Sequence, residues 1–370
     1  MITTNLGRAV IKLRTDYIPG KSTAYPLDGV SVRGKLWFCL RQTDEPPAEG
    51  NPSWMYGAGV ELLAGGGLGF SESGELYVDP DAFSDTILQE LQKALHLPMW
   101  LTQDTDWYVN AATGDDANDG SSADKAFKTI QACANHIADN FNLSSCNARI
   151  LIAPGEYDEI VLVPKYNSST GIMQFIGSGK DTTRVQCFNF TFAGKYTVQG
   201  LTVNNKGIGG GVGSGITGVP FMLNAPVTVI ISNLAVVADT APVDVSRIAP
   251  VQVSNSAMLI INSGCSITFN AAAMVWRAMT GNNSGQITLR YDLTVNGALI
   301  NANGATLDLS RGASFIRSTP LNATPPNVVG AVTLGKRYVI ATNSICEVGG
   351  DSTFFPGAVA GSSASGAQYV

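Results

Sequence analysis

The sequence predicts a mainly β protein: a parallel β-helix, a solenoid of stacked coils, capped by an α-helix and preceded by a small β-rich domain. Three observations predict it. Short apolar runs open near Ile150, Ile172, Tyr196 and Phe221, at separations of 22, 24 and 25 residues, and such a period marks coils that bury their inward residues only by stacking on the next coil. The runs are rich in β-branched residues, as in Ile150 to Ile152, Val227 to Ile231, Ile260, Ile261 and Ile267, which favours strands over helices. Charged residues make up only 14% of the chain, Gly numbers 40, and Asn is heavily used, against roughly 25% charge in an ordinary soluble domain. Beyond Pro226 the register of the runs blurs.

Residues 1–78 carry alternating runs, notably from Val30 to Cys39 and Glu75-Leu76-Tyr77-Val78, which read as strands joined by Gly/Pro turns. Between them Glu61 to Gly69 is too glycine-rich for a helix and reads as a turn or a close backbone approach. From Asp79 the period changes. Asp79 or Asp81 can cap a helix with Pro80 in its first turn, Ile87, Leu88, Leu91, Ala94 and Leu95 form one stripe, and Pro98 ends it. Residues 79–103 are therefore a helical neck or linker; the stripe either packs on its own domain or forms a short three-helix neck. After a polar loop, Gly114 to Gly120, a second helix is predicted with Asp124 as N-cap and Phe127, Ile130, Ala134, Ile137 and Phe141 on its buried face. The β-helix is assigned to residues 104–330 and a β-rich C-terminal cap and tail to 331–370.

Acids outnumber bases by only 29 to 23 and no Lys/Arg run supplies the electrostatic footprint of a nucleic-acid binder. Residues 207–238 and 248–276 hold no charge at all, yet Asn, Ser, Thr, Gly and Pro interrupt both, so neither is a membrane span. The six cysteines, Cys39, Cys133, Cys146, Cys187, Cys265 and Cys346, form no CxxC pairs and are expected to be free buried thiols. The first residues, Met1 to Asn5, lack the basic start and apolar stretch of a signal peptide, which points to synthesis and folding in a cytoplasm.

Trp107-Tyr108-Val109-Asn110, the acidic loop at 114–120, Ala126 to Gln131 and Ile150 to Tyr157 together resemble the opening of the β-helix in pectate-lyase-like bacteriophage tail spikes and tail fibres. Gly200-Leu201-Thr202-Val203 is similar to a coil turn of such proteins, and Phe354-Phe355-Pro356-Gly357 with the Gly/Ser tail ending Gln368-Tyr369-Val370 to the terminus of many tail fibres. The resemblance covers roughly residues 104–370. It implies a right-handed parallel β-helix, a homotrimer, an N-terminal domain that attaches to baseplate or tail proteins of the virion, and contact with host surface glycans. A capping helix makes physical sense there, because an open solenoid end exposes unpaired backbone and apolar interior.

Motifs for chemistry are sparse. Gly213 to Gly218 spells GxGxxG, but Val219-Pro220-Phe221 follows and cannot open the helix that would hold a pyrophosphate. The Asp115 to Gly120 loop offers oxygens for calcium, yet Ala117 stands at the third position and no Glu closes it, so an Asx-turn connection is the plainer reading. His96 and His136 are the only histidines and fall on helical segments, where they read as structural or exposed. No metal or cofactor is implied. Glycan cleavage needs two carboxylates; the candidates are Asp292 and Asp308, close enough in sequence for adjacent coils, with Arg290 and Arg311 nearby, although two salt-bridged surface carboxylates explain them as well. Phe190, Phe192, Tyr196, Trp276 and Tyr291 are candidates for stacking on sugars, set against the tendency of β-helix aromatics to fill the interior.

Two functions follow: a structural tail protein of the virion that recognises host surface polysaccharide, or a polysaccharide depolymerase on the same scaffold. A secreted adhesin or lyase is a third class, disfavoured by the N-terminus. The low charge and the two charge-free stretches are consistent with exterior buried between subunits, as in a homotrimer.

Overall fold

In the computed structural model the chain from Trp100 to Val370 winds as a parallel β-solenoid with three sheets. The structure describes residues 98–206, 219–240, 249–270, 275, 277–299, 301–319 and 326–370. In the N-terminal region it describes only 12–13, 18, 21–24, 28–32, 35–39, 41–48, 51–56, 68–70 and 76–78. Met1–Met99 is a separate compact unit. In it Asp28–Val32 pairs antiparallel with Lys35–Cys39, which pairs in turn with Trp54–Tyr56, while Lys12–Leu13 joins Asp28–Val32 in parallel. A second small pair joins Leu68–Phe70 to Leu76–Val78. Residues 61–67 of the glycine-rich stretch and residues 79–97 of the expected neck helix, with His96, lie outside the described residues.

The solenoid is held by columns of inward side chains in parallel register. On the first sheet one column runs Ala148, Met173, Tyr196, Val229, Leu259, Ile287, Ile316, Cys346 and Tyr369. On the second, Val203, Val236, Ile267 and Val295 follow one another. On the third the column is Val161, Phe188, Phe221, Val251, Met279, Leu307 and Tyr338. Nearly all are fully buried, and each large apolar side chain removed from water contributes about 1.5–3 kcal/mol. Parallel pairing runs on across residue 331, through Lys336–Ile340 and Ile345–Glu347 to Gln368–Tyr369.

The columns correct the predicted period. From 148 to 173 to 196 the steps are 25 and 23 residues, but from 196 through 229, 259, 287, 316 and 346 they are 33, 30, 28, 29 and 30. Phe221 is not the next member after Tyr196; it sits on the third sheet opposite Phe188. The coils lengthen there, which is why the register blurs past Pro226 in the sequence.

Coil corners explain the asparagine and glycine content. Asn233, Asn255 and Asn283 take left-handed backbone with φ of 46°, 56° and 45°, a conformation Asn tolerates better than most residues. Two of them also bridge coils, with Asn283 Nδ2 donating to Asn255 Oδ1 at 3.2 Å and Asn255 Nδ2 to Asn224 Oδ1 at 2.8 Å. On the next coil Gly312, φ 86°, replaces the amide; a Cβ there would lie 2.8 Å from Asn283 Oδ1.

The capping helix spans Ile130–Asn140 and buries Ile130, Cys133, Ala134 and Ile137 in the same apolar core as Trp107, Val109, Ile150 and Val161. Its start differs from the expectation. Asp124 lies in a short 3-10 turn, Ala123–Lys125, and the N-cap is Thr129, whose hydroxyl accepts from Ala132 N at 3.1 Å. Phe127 and Phe141 flank the helix rather than belonging to it. Glu159, from a facing strand, accepts from Ile130 N and Gln131 N at 2.8 and 3.0 Å, and Asp116 accepts from Lys128 N and Thr129 N. Three side chains thus satisfy N–H groups that a helix start leaves without partners. At the other end of the solenoid the Tyr338 and Tyr369 rings stack at 4.2 Å, and Tyr369 Oη donates to Asp351 O at 2.5 Å. Among the described residues, no helix is long and apolar enough to cross a membrane.

Candidate functional site

Because inward positions are filled by apolar columns, function falls to the alternate residues of each strand, which face outward. The three outer faces differ in chemistry. The first sheet presents Thr197, Ile230, Ile260 and Thr288 in register along its middle, with Met258 in the neighbouring row and Ile260 only 8% exposed. The second presents Thr202, Ala235, Ser266 and Thr294 in register, then Val237, Thr268 and Asn296.

The third sheet carries the polar constellation. Gln252, Thr280 and Asp308 lie in register on successive coils, alternating with the inward Val251, Met279 and Leu307, and Ser254, Asn282 and Arg311 form the neighbouring row. The side chains are tied together: Thr280 Oγ1 donates to Asp308 O at 3.0 Å and to Asn282 Oδ1 at 3.3 Å, and Gln252 Nε2 to Ser254 Oγ at 3.3 Å. Ser254, Thr280 and Asp308 are buried although they point away from the core. That leaves the half-buried amides of Gln252 and Asn282, which the buried hydroxyls hold in place and so preorganise to hydrogen-bond a polyhydroxylated ligand.

The two carboxylates proposed for cleavage do not form a pair. Asp308 is 3% exposed and its carboxylate is fully occupied, Oδ2 by an ion pair with Arg277 and Oδ1 by Ser310 N at 2.8 Å and Ser310 Oγ at 2.5 Å. It is neither a surface carboxylate nor the partner of Arg311 or Arg290. Asp292 is exposed at the start of the second-sheet strand Leu293–Ala298, where its Oδ1 accepts from Asn327 N on the next coil at 2.8 Å. The two acids therefore sit on different sheets, one as a buried pin and one as a turn cap, without the shared space that acid and nucleophile need.

Of the aromatic candidates, Phe190 and Tyr196 are fully buried inside the coils, packed on each other and on Phe188, Phe221 and Tyr166, so neither offers a ring face to a ligand outside. Tyr196 Oη reaches Pro164 O at 3.0 Å, which lets a tyrosine sit inside. Phe192, two residues beyond Phe190 and past the strand end, is 48% exposed. Tyr291 is half-buried, and Trp276 and the glycines at 213–218 lie outside the described residues.

In the acidic loop Asp115 Oδ1 accepts from Ala117 N at 3.0 Å, and Asp119 Oδ1 from Ser121 N and Oγ at 3.0 and 2.7 Å; the carboxylates cap their own backbone as Asx turns do. His136 packs between Phe127 and Phe141, and burial lowers its pKa. Burial pushes the thiols of Cys187 and Cys346 up to about 12 and that of Cys265 to about 11, so these cysteines are unreactive core residues.

The polar rows of the third sheet escaped the sequence, as did Arg277 as the partner of Asp308. Their only signal is alternation in short strings such as Val251-Gln252-Val253-Ser254 and Met279-Thr280-Gly281-Asn282, which gains meaning only when coil length is known. No family model matches the chain, and no curated protein or solved structure matches it either.

Proposed function

We propose that this protein is a bacteriophage tail spike or tail fibre component that recognises host surface polysaccharide with the outer faces of its solenoid. In this reading residues 1–78 attach it to baseplate or tail proteins, and it is made in the host cytoplasm and resides in the virion as a homotrimer. The observation that carries the reading is the pair of half-buried amides on the third sheet's outer face, Gln252 and Asn282, each held by a buried hydroxyl, Ser254 and Thr280, on a fold that the sequence relates to tail proteins through residues 107–163. Recognition needs only such hydrogen-bonding groups, whereas cleavage needs acids brought together, and Asp292 and Asp308 are apart and engaged. On the first sheet's outer face the half-buried Ile230 and Met258 fall in the two charge-free stretches and are the apolar surface that burial between subunits would cover.

The test is incubation of the purified protein with surface polysaccharides from a panel of bacterial strains, following binding, reducing ends and absorbance from unsaturated uronate products together. Binding to one or more polymers without product release is expected. Steady product release that disappears in Asp292→Asn, Asp308→Asn protein would replace the reading with a depolymerase, and absence of binding to every polymer would remove it.

A further inference from the structure

Two buried amide oxygens have no hydrogen-bond partner among the described residues, Asn189 Oδ1 and Asn262 Oδ1. Their surroundings differ. Asn189 lies between Leu162 and Met222 in register, where nothing suggests a polar ligand. Asn262 lies in an outward polar row at the edge of the first sheet. Gln199 and Ser232 are in register and bonded, Ser232 Oγ to Gln199 Oε1 at 3.2 Å. Asn262 follows Ile261, the partner of Ile231, and Arg290 follows Leu289, the partner of Ile261. Backbone bonds carry the register on to these positions, Asn262 N to Ile231 O at 2.8 Å and Arg290 N to Ile261 O at 3.0 Å. Gln199, Ser232, Asn262 and Arg290 are thus one row on four successive coils, spaced about 4.8 Å apart as neighbouring strands are.

Arg290 is the row's cation, and Thr319 follows it on the next coil, its N donating to Leu289 O at 2.8 Å. Among the described residues Arg290 makes no side-chain hydrogen bond or ion pair, and it is half-buried. Lys180 stands at the same corner, its Nζ donating to Gly264 O at 2.8 Å, two residues beyond Asn262. The nearest acid in sequence, Asp292, has an oxygen engaged by Asn327 N. A half-desolvated guanidinium beside an acceptor that lacks a donor is costly unless something supplies both a carboxylate and a hydroxyl. Guanidinium binds carboxylate through two parallel hydrogen bonds.

We infer that the row Gln199, Ser232, Asn262 and Arg290 binds a carboxylate-bearing sugar, the carboxylate on Arg290 and a ring hydroxyl donating to Asn262 Oδ1. The inference rests on the glycan-recognition reading above and narrows its ligand to acidic polysaccharide. Lys180 adds positive charge to the site, so binding weakens with salt.

The experiment measures affinity of the full chain for polygalacturonate and polysialic acid, with methyl-esterified polygalacturonate and dextran as neutral probes, and measures assembly mass by light scattering. At least one acidic polymer should bind and its neutral counterpart should not. Arg290→Ala should weaken binding roughly ten- to a hundredfold, the value of losing charge-assisted hydrogen bonds, at unchanged mass and melting temperature. Arg290→Lys, which keeps the charge and loses the fork, should fall between, and Asn262→Asp should weaken binding by repelling the carboxylate. Equal affinity for esterified and free polygalacturonate, full affinity in Arg290→Ala, or a change of assembly mass in that variant would overturn the inference, the last by assigning Arg290 to a subunit contact. Binding of dextran or another neutral host polymer without any acidic one would overturn this inference and leave the glycan-recognition reading standing; binding of neither class would remove both.

Discussion

Phe190 and Phe192 are the same side chain two residues apart, and the fold assigns them opposite fates. Phe190 is fully buried, with ring centroids 5.2 Å from Tyr196, 5.6 Å from Phe221 and 6.1 Å from Phe188. Phe192 is 48% exposed. Truncating a buried Phe to Ala removes its transfer free energy and leaves a cavity, about 3–5 kcal/mol together. The upper half of that range is expected here, because three ring contacts each worth about 0.5–1.5 kcal/mol vanish with it. Phe192→Ala should lie within about 0.5 kcal/mol of the parent, as exposed substitutions do. Chemical unfolding followed by far-ultraviolet circular dichroism reads both. In a solenoid each coil leans on its neighbours, so Phe190→Ala is also expected to broaden the transition or split off an early phase for the coils around residues 161–231. Equal midpoints for the two variants would refute the inward column that places Phe190 inside.

Other consequences are equally direct. Thr129→Ala should cost about 1 kcal/mol by removing the helix N-cap, whereas Asp124→Ala, at the position first expected to cap, should be nearly neutral. Asp308→Ala strips Arg277 of its buried counter-charge and should cost about 3 kcal/mol, at the low end for a broken buried pair, measured by the unfolding midpoint. Hydrogen bonds hold the carboxyls of Asp104, Asp119 and Asp351 below their ordinary 3.8, chiefly from Asn147, Ser121 and Thr353. Their stabilisation is present above that value and lost as pH falls through the lowered one. Glu159 runs the other way: burial raises its pKa from 4.5 against the bonds from Gln131 and Ile130, so its contribution is full below 4.5 and declines as pH rises through the raised value. Melting temperature against pH should therefore fall at the acid end, and Glu159→Gln should remove the decline that begins above 4.5 while leaving the acid limb in place. Cys187, Cys265 and Cys346 should resist alkylation in the native protein at neutral pH and react on unfolding, read by mass spectrometry of labelled peptides.

The solenoid was legible because its coils repeat and its strands use β-branched residues, and the capping helix because Ile130, Ala134 and Ile137 keep helical spacing. The cap residue was not, since Asp124 and Thr129 both suit an N-cap and only the position of Glu159 and Asp116 in space decides between them. Register past Pro226 was lost because coils of 28 to 33 residues replace those of 23 and 25. That loss carried the site with it. Without register, Asp292 and Asp308 could be imagined on adjacent coils of one face, and the row from Gln199 to Arg290 was invisible. Sequence separation locates a solenoid residue along the axis, but the face it occupies depends on each coil's length.

The central claim, that the outer face of this solenoid recognises host surface polysaccharide, is tested most directly on cells. Fluorescently labelled protein applied to a panel of bacterial strains, each paired with a derivative lacking its surface polysaccharide, should bind at least one parent strain saturably, lose that binding on the derivative, and leave the polymer's length unchanged. Equal binding to every parent and its derivative, or to none of the strains, would contradict the claim.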